Sequence, residues 1–166
     1  MASLRSEAKA LATAALHPEA LVIGADQVLG LDGRGFDKVH SAAAARQRLA
    51  LLSGRTHHLH SGLALALGPA AGRPARLLAS RVVDTAMPMR RLTDAELDAY
   101  VATGEWQGSV GCYQFENRGV HLFQGIECGE HSAIVGLPLT VLLSELRALG
   151  VDTLVNPTGP WELVEP

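Results

Sequence analysis

The pattern of apolar and polar positions predicts alternating helices and strands. Leu4, Ala8, Leu11 and Ala15 recur at helical spacing, which predicts a helix over 3–16, ended by His17-Pro18. Leu21-Val22-Ile23 is a short apolar run leading into Gly24-Ala25-Asp26-Gln27, and it predicts a buried strand that can continue to Leu31. Asp32-Gly33 is a turn signal. Ser41 is placed to cap a helix running to Leu52, with Gly54 as its stop. Thr56 to Leu67 and Leu77 to Met89 read as two strands of a hairpin around the loop-like segment 68–75. Thr93 with Glu96 forms a capping-box pattern for a helix over 94–103, stopped by Gly104. Residues 108–125 have the glycine spacing and alternation of two strands around a turn. Gly136-Leu137-Pro138-Leu139 opens a last helix to about Leu149.

Helices inserted between hairpins argue for an α/β fold, a mixed β-sheet with flanking helices, rather than a pure doubly wound sheet. The 166 residues fit one domain, expected over 1–150. The segment 151–166, proline-rich from Asn156, is expected as a flexible tail. Apolar residues are 48% of the chain and aromatics only 4%, so the core must be built from Ala, Leu and Val. No apolar run reaches the length of a membrane span, and the N-terminal stretch lacks the apolar block of a signal peptide. The expected location is the cytoplasm.

A net charge of -3 excludes a strongly basic binder of nucleic acid polymer, while leaving room for a local basic site. Of the basic residues, only Lys9 and Lys38 are lysines. Cys112 and Cys128 form no CxxC pair and are expected as reduced thiols. Glycine fingerprints for dinucleotides or P-loops are missing, as are GxSxG and HExxH.

Asp26 is the sharpest single candidate. A carboxylate that follows an apolar strand beside small residues can act as a general base or hold a metal. The alternative is a turn aspartate bonded to backbone amides. Lys9 and Lys38 can supply positive charge to phosphates, or be solvated surface groups. Glu116, on or beside a strand near a glycine-rich turn, can join Asp26 around a metal or accept hydrogen bonds from a base edge; the alternative is an exposed strand carboxylate. Among His57, His58 and His60, strand geometry puts only His58 and His60 on one face, which leaves a pair with no nearby carboxylate in sequence. An unrelated metal hydrolase using that pair is the weakest reading.

Several motifs occur together and in order: Glu7-Ala8-Lys9-Ala10, Leu21 to Gln27, Lys38, Leu52-Ser53-Gly54 with Ser61-Gly62-Leu63, Leu92 to Val101, Gly111 to Glu116 and Gly136 to Leu139. This set resembles the Maf family of nucleoside triphosphate pyrophosphatases from about residue 4 to 150. The resemblance implies a Maf/ITPase-like α/β fold with a cleft, often homodimeric. It also implies hydrolysis between the α- and β-phosphates of a nucleoside triphosphate, giving a monophosphate and pyrophosphate. Asp26 is the implied catalytic residue, Lys9 and Lys38 the phosphate-binding residues, and Gln27 and Glu116 the base-specificity residues. A divalent cation, Mg²⁺ or Mn²⁺, is implied on Asp26 and Glu116.

The Asp26-Gln27 and Glu116 combination is similar to the family's 7-methyl-GTP-type subgroup, since pyrimidine-linked members carry Gln where Glu116 stands. Guanine's N1–H and N2–H donors suit a carboxylate, and N7 methylation adds positive charge. Two departures stand out. The family's opening strand and Ser-x-Ser-x-Arg-Arg phosphate loop precede the point where this sequence begins, so the implied fold is N-terminally truncated. Val39 also stands where proline is usual. The alternative function is a truncated, non-catalytic nucleotide-binding or regulatory protein.

Overall fold

The structure is a computed structural model that describes residues 1–126, 129–159 and 161–164. Its elements are α1 (Ala2–Ala14), β1 (Leu21–Leu31), β2 (Arg34–Phe36), α2 (Ala42–Leu52), β3 (Thr56–Leu67), β4 (Arg76–Pro88), α3 (Asp94–Ala102), a 3-10 turn at Arg118–Leu122, α4 (His131–Val135) and α5 (Leu139–Ala148). The strands form one four-stranded sheet in the order β2-β1-β3-β4. This is the α/β architecture expected of the sequence. The chain divides into two compact units, one of residues 1–26, 61–83 and 136–166 and the other of 27–60 and 84–135.

In the first unit α1 lies on the strands through small residues. Its buried positions are Ala2, Ser6, Ala10 and Ala14, four apart, so they form one narrow stripe. The apolar spacing over 3–16 predicts burial of Leu4, Ala8, Leu11 and Ala15. Instead Leu4 is 70% exposed, and Ala8 and Ala15 are exposed too. The reason is steric. A Cβ added at Gly24 would collide with the Ser6 carbonyl oxygen and sit 2.8 Å from the Ala10 Cβ, and one at Gly62 would sit 2.6 Å from the Ala2 carbonyl oxygen. A leucine facing the sheet at these points would not fit, so alanine and serine do, and Ala10 and Ala14 pack on Ala64 and Ala66. Glu7 ties the same helix to β4: its carboxylate accepts from the Ser3 and Ser80 hydroxyls, each at 2.6 Å.

A leucine cluster built from Leu63, Leu65, Leu142, Leu146 and Leu149 completes this unit under α5. Val151 and Leu163, from the segment expected as a tail, pack with it, and the Val164 N–H donates to the Leu149 carbonyl at 3.0 Å.

The second unit is built around Leu29, Leu31, Leu49, Leu52, Leu59, Met87 and Met89, with Tyr100, Tyr113 and Leu122 closing it. Asp32 and Gly33 have φ of 52° and 74°, the left-handed pair that a two-residue hairpin turn requires, and Leu31 pairs with Arg34 across it. The Ser41 hydroxyl caps α2, and Thr93 with Glu96 makes the expected capping box on α3. Arg46 of α2 reaches Asp98 and Asp94 of α3 at 2.5 and 2.8 Å; these pairs are exposed and add little stability.

The two strands expected over 108–125 are not formed. Gly108 and Cys112 turn the chain with φ of 78° and 60°, and the Asn117 and Gly119 N–H groups both close onto the Gln114 carbonyl. The strand-like pairing of this segment is a single bridge from Met89 to Phe123. The glycines that suggest strand ends serve as turn formers within the segment itself. The short α4 is not among the expected elements, and β2 is signalled by its Asp32-Gly33 turn alone.

Replacing Gly24 with valine is expected to push α1 off β1 and cost about 1–3 kcal/mol. Urea denaturation checks this; an unchanged midpoint would contradict the close seat.

Candidate functional site

The close approach of α1 to β1 sets the first unit's polar chemistry. Ala10 seats the helix against Gly24, so the adjacent Lys9 is carried along the strand to Asp26. Its ammonium donates to Asp26 Oδ1 at 2.5 Å and to the Ala25 carbonyl oxygen at 3.2 Å. The two partners differ in environment: the Lys9 side chain is 58% exposed and that of Asp26 only 12%. Asp26 Oδ2 is buried and has no hydrogen-bond partner among the described residues. An orphaned carboxylate oxygen withheld from water is costly in a folded chain, and it marks a place where a ligand, water or ion completes the bonding. One oxygen is therefore neutralised and oriented, and the other is available as a base or ligand.

The remaining sequence candidates lie in the second unit. Gln27 uses its amide Nε2 to donate to the carbonyls of Ala133 at 2.8 Å and Ile134 at 3.2 Å, which satisfies the end of α4. Lys38 is exposed on the loop between β2 and α2. That loop is held from below: Phe36 and Val39 pack on the core, and Arg48 donates to the carbonyls of Asp37 and Val110 while its guanidinium stacks 4.5 Å over the Phe36 ring. Valine at 39 thus anchors the loop by packing rather than by backbone stiffness. Glu116 is exposed in a turn, not on a strand, at the tip of the segment 114–118.

Buried polar side chains also lie outside the candidate site residues, His57 and Tyr100 among them. His57 is fully buried and shares a 2.7 Å hydrogen bond between its Nε2 and the Tyr113 hydroxyl, with Phe123 against both rings. Burial, with His58 beside it, pushes its pKa down from 6.5 to about 4, so it is neutral at working pH. The buried Tyr100 hydroxyl accepts from the Gln114 N–H and donates to Glu105 Oε2. The one legible signal is period-two alternation, which places His57 opposite His58 and His60.

His58 and His60 do share a face, stacked at 6.0 Å, and β4 supplies the carboxylate that the local sequence lacks: Asp84 Oδ1 lies 3.0 Å from His58 Nδ1 and 3.5 Å from His60 Nδ1. Among the described residues, no group of three or more His, Cys, Asp or Glu side chains is arranged to hold a metal ion. Cys112 is a buried free thiol whose pKa burial pushes up; Cys128 lies outside the described residues. No described helix is long and apolar enough to cross a membrane.

The pattern of the Maf-like protein family matches residues 1–149. This chain belongs to that family. A nucleoside triphosphate pyrophosphatase of Rhodopseudomonas palustris (strain ATCC BAA-98 / CGA009) is 45% identical over 150 residues, which cover 89% of this chain and 71% of that protein. A 7-methyl-GTP pyrophosphatase of Bartonella quintana is 44% identical over 149 residues, 88% of this chain and 71% of its own length. Another 7-methyl-GTP pyrophosphatase, from Cupriavidus pinatubonensis, is 43% identical over 144 residues, 86% and 69% respectively. The Maf-like chain thus carries Asp26 and Lys9 inside the matched region.

The neutral burial of His57 sets a pH dependence of stability. Its folded pKa of about 4 lies below the ordinary 6.5, so the unfolded chain binds the extra proton between those values. Stability from this group is complete above the upper value and falls as pH drops toward the lower one. Denaturation midpoints measured across that window should fall with pH, and His57→Gln should flatten that slope; a variant with the wild-type slope would contradict it.

Proposed function

We propose that this Maf-like chain hydrolyses a nucleoside triphosphate between its α- and β-phosphates, releasing a monophosphate and pyrophosphate. The observation that carries the reading is Asp26, with one oxygen held by Lys9 at 2.5 Å and the other buried and unpartnered among the described residues. A water bonded to Oδ2 gives up a proton to the carboxylate as its oxygen attacks the α-phosphorus. The bond from that phosphorus to the bridging oxygen breaks, and the electron pair leaves with pyrophosphate. Lys9 orients Asp26 while its exposed ammonium offers further donors to a phosphate oxygen. Lys38 is assigned to phosphate charge as well, on the family likeness and its exposed position.

The buried Asp26 carboxylate would also attract a hard divalent cation, since Mg²⁺ is commonly held by one or two carboxylates with phosphates and water completing the shell, and the water at Oδ2 would then belong to that shell. Such an ion, Mg²⁺ or Mn²⁺, supplies neutralisation of the triphosphate charge when bound. Gln27 and Glu116 are assigned to the base, with 7-methyl-GTP as the preferred substrate: an exposed carboxylate accepts from the guanine N1–H and N2–H groups, and the methylated ring's positive charge adds attraction. The names of the Bartonella and Cupriavidus relatives support this choice. The reading extends to a cytoplasmic homodimer acting on free nucleotides, not on nucleic acid polymer.

The test is pyrophosphate release with Mg²⁺ or Mn²⁺ from 7-methyl-GTP, GTP, UTP and dTTP. Release should be fastest from 7-methyl-GTP and should fall on the order of a hundredfold or more in Asp26→Asn. Lys9→Met should lower it as well, through KM and turnover together. Nucleotide binding with no release from the folded wild-type chain would replace this reading with a binding or regulatory one.

A further inference from the structure

The exposed carboxylate of Glu116 stands on a segment held at both ends, by the buried Tyr100 on one side and the half-buried Glu105 on the other. Three hydrogen bonds of 3.1 Å bracket it. The Gln114 N–H donates to the Tyr100 hydroxyl, that hydroxyl donates to Glu105 Oε2, and the Arg118 N–H donates to the same Glu105 oxygen. Within the segment, the Asn117 and Gly119 N–H groups close on the Gln114 carbonyl, and the Asn117 side-chain amide donates to the Gln114 Oε1 at 2.8 Å. Before it, Tyr113 is fixed by His57, and within it Phe115 packs edge-on against Phe123 at 5.6 Å. Glu116 itself has no hydrogen bond or ion pair among the described residues.

The direction of the relay is fixed by charge. Tyr100 is 6% exposed, and burial raises its hydroxyl pKa well above the usual phenol range, with the Glu105 and Glu116 carboxylates acting the same way. The hydroxyl therefore keeps its proton and donates a hydrogen bond to Glu105. Glu105 is placed for this by the end of α3, where Gly104 takes φ of 78° and the Glu105 N–H donates to the Thr103 hydroxyl. A carboxylate shared between a buried phenol and a backbone N–H fixes this segment, and with it the place where the Glu116 carboxylate is presented.

We propose that Tyr100 and Glu105 are positioning residues that set base selectivity by fixing the loop that presents Glu116. This rests on the reading of Glu116 as the residue that faces the base. With the loop fixed, the carboxylate meets the guanine donors without the entropic cost of ordering the segment at each binding event. Loosened, it still adapts to other bases, so discrimination drops while the chemistry at Asp26 stays.

The experiment compares wild type with Tyr100→Phe, Glu105→Gln and Glu116→Gln on 7-methyl-GTP and UTP. In Tyr100→Phe the ratio of kcat/KM between the two substrates should fall about tenfold, carried by a higher KM for 7-methyl-GTP at a kcat within about twofold of wild type. Glu105→Gln should move the ratio in the same direction. The shift of Tm on adding each nucleotide reads the same selectivity without turnover. An unchanged ratio in both variants, beside a changed one in Glu116→Gln, would overturn the positioning role alone. An unchanged ratio in Glu116→Gln would overturn the base-reading role of Glu116 and the positioning role with it. A Tm loss with equal losses on both substrates would leave Tyr100 and Glu105 merely structural, and the proposal wrong.

Discussion

The close seat of α1 on Gly24 and Gly62 is the constraint from which the rest of the first unit follows. Helix and strand approach nearer than a leucine would permit, because the strand offers no Cβ and the helix offers only Ala and Ser. That approach places Lys9 on Asp26 and shuts Asp26 away from water at one oxygen. The pair is then asymmetric in a useful way. Its cation is largely in solvent, where it can meet an anion, and its anion is mostly buried, where the field of an opposite charge is less screened. A bulkier helix would stand farther off and lose both features together.

The second unit solves a different problem by different means. Its turn-rich segment over 105–122 has no ladder of strand hydrogen bonds to hold it, so buried side chains take over that work. His57 with Tyr113, and Tyr100 with Glu105, are polar groups beside an apolar cluster. Each is satisfied at the atom that faces the loop. By contrast, the arginine pairs between α2 and α3 are exposed, and competition from water makes them weak constraints. Precision in this unit comes from bonds anchored on the buried His57, Tyr113 and Tyr100 side chains.

Much of this is legible in the sequence where local chemistry decides. The Ser41 and Thr93 caps, the Asp32-Gly33 turn and the limits of β3 follow from residues close to one another along the chain. The family is readable from motif order, and the match over 1–149 agrees with it; the places of Lys9 on a helix and Asp26 on a strand are readable from apolar spacing. What is not readable depends on distant partners. The buried face of α1 is set by glycines in other elements, not by its own leucines. The segment 108–125 has strand-like alternation, yet its glycines close it into turns. Tyr100 and Glu105 gain meaning only through the backbone N–H groups of Gln114 and Arg118, far along the chain from either. Asp84 reaches His58 and His60 across a hairpin that the sequence indicates without its register.

In the proposed mechanism the free oxygen of Asp26 aims a water at the α-phosphorus, and the other groups hold the substrate or that carboxylate still. The most direct measurement follows the oxygen atom. Hydrolysis of 7-methyl-GTP in water labelled with heavy oxygen, with the products separated and weighed by mass spectrometry, reports which phosphorus the water attacks. Attack at the α-phosphorus predicts one labelled oxygen in the nucleoside monophosphate and none in pyrophosphate. Label in the pyrophosphate instead would place the attack on the β-phosphorus and contradict the mechanism.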